Sequence, residues 1–139
     1  MLNSLKAISL GVITIFILGL VNQLILIMSA VGYNSLVAVA PVFAPWSQIV
    51  TYILAGIGFS IVMASGGLVT AMVAVKHAYY KAASASVIGS SISLYLSLQN
   101  EIFTLIAFFF ILYGVISSTF GCWLWKRYQQ KKEAQGIAP

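Results

Sequence analysis

Acidic side chains are almost missing from this chain, which has no aspartate and only two glutamates, Glu101 and Glu133. That scarcity removes whole classes of chemistry. A Ser-His-Asp triad needs an acid to orient its imidazole, and the one histidine, His77, lies between two lysines in a basic turn. Haem ligation by paired histidines fails on the same count. One His and one Cys, Cys122, placed 45 positions apart cannot fill a metal coordination shell. A single cysteine forms no intrachain disulfide. The expectation is a non-enzymatic protein with no metal and no cofactor, and with no nucleic acid among its partners.

Charge of either sign is scarce. Only 6% of the 139 residues are charged and 61% are apolar, with a mean hydropathy of +1.03, against about 25% charged in soluble domains. The class is therefore an integral membrane protein. About 20 apolar residues cross a bilayer, so the length allows four spans, short loops and no separate soluble domain.

Apolar runs place those spans at residues 7–30, 48–75, 82–98 and 102–125, followed by a basic tail at 126–139. The first run exceeds the 7 to 15 residues, roughly, of a signal-peptide core, and Met28-Ser29-Ala30 is a poor cleavage site, so it is read as a retained span. Residues 31–47 carry Gly32, Asn34, Pro41 and Pro45, which punctuate helices, and are expected to form a connector that lies in the interface or re-enters the bilayer. No span holds an Asp, Glu, His or Arg, which argues against proton- or ion-coupled transport. The embedded glutamate of small four-span drug/proton antiporters has no counterpart here.

All seven cations fall at three places: Lys6 at the start, Lys76 and Lys81 after the second span, and Lys126, Arg127, Lys131 and Lys132 after the fourth. Short loops rich in Lys and Arg stay on the cytoplasmic side. Four spans with both termini cytoplasmic, in the cell membrane, put every cation on one face, whereas three spans would export the basic tail. The fold class read here is thus all-α: an integral membrane four-helix bundle, N-in and C-in, with a central hairpin rich in small residues.

That hairpin is thin by design of its sequence. In the second span Gly56, Ser60, Ala64, Gly67, Ala71 and Ala74 recur at steps of three and four, which forms one stripe along a helix. In the third, Ala82, Ser86 and Ser90 form one row, and Ala85, Gly89 and Ser93 another beside it. Membrane helices associate by close backbone approach and interhelical hydrogen bonds, so these stripes are contact faces. They serve either a tight antiparallel hairpin within the chain or neighbours in a homo-oligomer or hetero-complex.

The other polar residues are few. Asn22 and Gln23 lie inside the first span, where amides need partners, as interhelix glue or as polar lining of a pore. Asn100 and Glu101 open the fourth span, as a helix cap or a cation-attracting mouth. Lys76, His77 and Lys81, with Lys126 and Arg127, are candidate contacts for anionic lipid head groups.

Three functional readings follow. The first is a self-associating or complex-forming subunit of a membrane assembly: a pore, a secretion or conjugation machine, an energy-converting complex or a holin-like lysis protein. The second is a passive channel or small-solute carrier lined by the serines of the third span with Asn22 and Gln23. The third comes from residues 46–98, where an apolar small-residue helix, a short basic loop and a second small-residue helix together resemble the hairpin of conjugative type IV secretion pilins. The resemblance implies a membrane-derived filament subunit in which Lys76 and Lys81 face a lumen and meet lipid head groups. An uncleaved first span and an additional fourth span depart from that pattern.

The threading is testable with Cys122 replaced. A cysteine at Asn34 or Asn100 should react with an external maleimide, and one at Lys132 should not. External labelling at position 132 would sink the four-span thread.

Overall fold

The computed structural model describes residues 2–74, 76–98 and 105–135. They form four α-helices, α1 (Leu2–Val39), α2 (Ser47–Val73), α3 (Ala78–Leu98) and α4 (Leu105–Ala134), with a 3-10 turn at Pro41–Trp46. Three stretches, Asn3–Val39, Pro41–Val73 and Ala107–Ala134, are long and apolar enough to cross a membrane. The 21 residues of α3 reach about 32 Å, enough for a hydrocarbon core of about 30 Å, but its serines dilute its hydropathy.

Residues 31–39 do not open a connector. They continue α1, which is 38 residues long and about 57 Å from end to end. A single glycine costs a helix only about 1 kcal/mol, so Gly32 does not stop it, and the Ser35 hydroxyl donates to the Val31 carbonyl at 3.1 Å. Proline does stop it. The residue before a proline is driven out of the α region, and Ala40 is extended at φ −134°, ψ 85°. The chain turns through Pro41–Trp46, pinned back on α1 by the Tyr33 hydroxyl donating to the Phe43 carbonyl at 2.7 Å.

The basic knot is shorter than the sequence suggests. α2 ends at Val73, where Ala74 turns extended. The corner is at His77, whose φ of 54° lies in the left-handed region where His is enriched. Tyr79, Tyr80 and Lys81 already belong to the first turns of α3, with the Lys81 amide bonded to the His77 carbonyl at 3.2 Å.

Successive helices run antiparallel, and α2 touches all three others, while α1 and α4 do not meet among the described residues. α3 also touches all three, but α2 packs more extensively on α1 and α4 than α3 does, and two adjacent glycines let it do so. A Cβ at Gly66 would reach Ile15 and come within 3.3 Å of the Gly11 carbonyl of α1. One at Gly67 would strike the Ser118 carbonyl of α4. The α4 contact is reciprocal, since a Cβ at Gly121 would strike the Ala64 carbonyl. Ile15, 2% exposed, fills the hole left by Gly66 and by Gly89 of α3.

Gly19 and Gly56, by contrast, have open space where a Cβ would go. Gly67→Ala should therefore lower stability by about 1–3 kcal/mol through overpacking. Gly56→Ala should be neutral or stabilising by up to about 1 kcal/mol, since Ala is the better helix former. Unfolding titrations in mixed micelles would read both, and equal tolerance would refute the close crossing.

Candidate functional site

The small-residue stripe of α2 faces α4 more than α3. Ser60 donates to its own-helix carbonyl at Gly56, 2.8 Å away. Its one hydrogen is thereby used, so the Tyr113 hydroxyl, 2.5 Å off, is the donor to the Ser60 oxygen. Ala64 and Gly67 take the backbone of α4 at Gly121 and Ser118. Ala71 sits in a cluster with Ala78, Ala82 and Cys122, and Ala74, the last of the row, packs against it. Gly56 alone is not used as a contact.

The two rows of α3 meet different neighbours, the first α4 and α2, the second α1. Ala82 accepts a bond from the Ser118 hydroxyl at 3.0 Å, and Ser90 lies against Gly114 of α4 and Met63 of α2. Ala85 and Gly89 face Gly11 and Ile15 of α1. Ser86, fully buried, donates back to the Ala83 carbonyl at 2.9 Å, and Ser93 is half-buried. A hydroxyl that bonds its own helix needs no partner across the interface.

The polar residues do not converge on a shared lumen. Asn22 rests on Gly58 of α2, where its amide occupies the place of a Cβ, whereas its neighbour Gln23 is exposed on the outer side of α1. The cleft between α1 and α2 beside Leu26 and Leu54 encloses about 10 Å³, roughly one water. Asn100 and Glu101 lie outside the described residues. Among those described, no three His, Cys, Asp or Glu side chains come together as a metal site.

Space and charge meet elsewhere. Because the helices alternate in direction, the start of α1, the α2–α3 corner and the end of α4 lie at one end of the bundle, with all seven cations. No ion pair forms there among the described residues. Aromatic faces take the cations instead: the Lys126 Nζ is 4.2 Å from the Tyr79 ring centre, the Arg127 guanidinium 5.1 Å from Trp123, and the Lys132 Nζ 5.3 Å from Tyr128. Between α3 and α4 a cavity of about 320 Å³ opens, lined by Tyr79, Trp123, Lys126, Arg127 and Gln130. It takes two of the five head-group candidates. Lys76, His77 and Lys81 do not line it. The Trp125 indole packs on the Ala71 cluster, and its buried N–H has no partner.

Several contact residues lie off the stripes read from the sequence: Gly11, Ile15, Gly58, Gly66, Tyr113, Ser118 and Gly121. A signal existed for some of them, because Gly114, Ser118 and Gly121 recur at steps of four and three in α4, the same pattern that marks α2. No protein-family model matches the chain, and neither a curated protein nor a solved structure matches it.

Tyr113→Phe removes the donor to Ser60 and leaves the Gly56 bond in place. Interhelical hydrogen bonds in membranes average about 0.6 kcal/mol, and the variant should lose about that much in an unfolding titration.

Proposed function

We propose that this chain is a non-enzymatic multi-pass membrane protein that crosses the bilayer four times, with both termini cytoplasmic, and serves as a self-associating or complex-forming subunit of a membrane assembly. The four-span thread is supported by the basic end, since the positive-inside rule then holds for all seven cations. It is supported too by the burial of Ser86 and Ser90, which lets a serine-rich α3 cross the membrane as a packed helix without presenting those hydroxyls to lipid.

The observation that carries the assembly reading is Gln23. The small-residue rows are largely used inside the chain, but this amide sits on the outer face of α1, near the middle of the helix, with Phe16, Leu20 and Ile27 exposed around it. An unpaired amide in hydrocarbon costs several kcal/mol, and a second chain removes that cost by hydrogen bonding across the interface. Gln is both donor and acceptor, so a second copy could satisfy it symmetrically. The carrier reading has no comparable support, because Asn22, Gln23 and the serines of α3 point to different neighbours. The pilin-like pair α2 and α3 packs against both α1 and α4, so its small-residue rows are largely taken up within the chain, which weighs against a free-standing hairpin.

Native mass of the detergent-extracted protein tests this. The wild type should run above its 15.0 kDa monomer, with itself or with a co-purifying chain, and Gln23→Leu should shift it to the monomer without lowering its melting temperature. A wild-type monomer with nothing bound would end the assembly reading.

A further inference from the structure

We propose that the cavity between α3 and α4 holds the phosphate of an anionic phospholipid whose acyl chains lie along the outer face of α4. The proposal rests on the membrane placement argued above and is independent of assembly. Ile116, Phe120, Trp123, Arg127 and Gln130 follow one another at steps of four and three, so they share one helix face. That face is graded. Ile116 is 59% exposed and Phe120 55%, Trp123 stacks on Phe120 at 5.6 Å, and the cation and the amide come last. The order apolar, aromatic, cationic is that of a phospholipid read from its tails to its head group.

The head-group end is an open surface groove between α3 and α4. Its volume of about 320 Å³ gives room for a phosphate at the surface without enclosing it. Lys126 rests on Tyr79 and Arg127 on Trp123, which fixes both cations beside the opening, and an Arg on an aromatic face still offers its N–H fork to phosphate oxygens. Gln130 adds an amide donor. Tyr79 belongs to the first turn of α3, which has no acidic residue, so the positive end of that helix is not neutralised by its own side chains. Glu133, on α4 one turn beyond Gln130, is exposed and forms no ion pair with the cavity cations. With no counter-charge from the described residues, an anion from the leaflet supplies it.

Binding would be read by native mass spectrometry of the full chain exchanged into micelles carrying phosphatidylglycerol or phosphatidylcholine. The wild type should retain phosphatidylglycerol in preference to phosphatidylcholine. Arg127→Lys keeps the net charge but loses the planar fork, and should weaken that retention about tenfold. Arg127 is exposed, so the variant's melting temperature should match the wild type's. Unchanged retention in Arg127→Lys would overturn the proposal, because diffuse attraction counts only charge. Equal retention of the two lipids would overturn it as well, and displacement of the lipid by inorganic phosphate would reassign the cavity to a free anion. The lipid count and the protein mass come from the same spectrum, so a monomer that holds phosphatidylglycerol separates this site from the assembly reading.

Discussion

Backbone-to-backbone approach on two sides of α2, at Gly66 and Gly67, is the contact on which the bundle depends. Two neighbouring positions on a helix point about 100° apart, so one glycine admits α1 and the next admits α4. In a bilayer apolar bulk gives no net attraction between helices, and close packing and hydrogen bonds must supply it. A side chain at either position would separate α2 from one neighbour and undo what lies beyond. Ile15 could no longer seat between α2 and α3, and Ser118 could no longer reach the Ala82 carbonyl.

The same close approach explains how so many hydroxyls are tolerated. Thr70, Ser86, Ser90 and Ser118 are all fully buried, yet each has a partner nearby. Thr70 and Ser86 bond carbonyls of their own helix, Ser118 bonds one on α3, and Ser90 meets the Met63 sulfur at 4.0 Å. Small polar side chains fill narrow seams and leave few donors unmatched. Among the polar groups that face outward, two stand out: Gln23 in the middle of α1 and the cations at the basic end, which form no ion pair among the described residues.

That basic end is where a neutral-looking bundle acquires electrostatic character. Cations resting on Tyr79, Trp123 and Tyr128 are held in place without being neutralised, unlike cations paired with carboxylates. The acid-poor composition noted at the outset leaves an end of the molecule with a standing demand for anions. If the proposed lipid binds there, anchoring and recognition become the same physical event, because the anion that answers the charge would also set the depth of α4.

Sequence alone determined the helical class and the four helical segments, three of them long and apolar enough to cross a membrane, because hydropathy acts residue by residue. It also marked which helix faces were thin, since steps of three and four need no structure to be recognised. It misjudged the first helix, where Gly32 and Asn34 looked like breakers and only the proline at 41 removed a donor and forbade the α conformation before it. Tertiary structure decided which neighbour each thin face met: a small side chain says that a backbone can approach but not whose, so the α2 stripe went mainly to α4 rather than to its hairpin partner. It also decided which cations border a cavity. Lys126 and Arg127 do so because Tyr79 of α3 comes to lie against α4, a meeting of residues more than forty positions apart that no local pattern encodes.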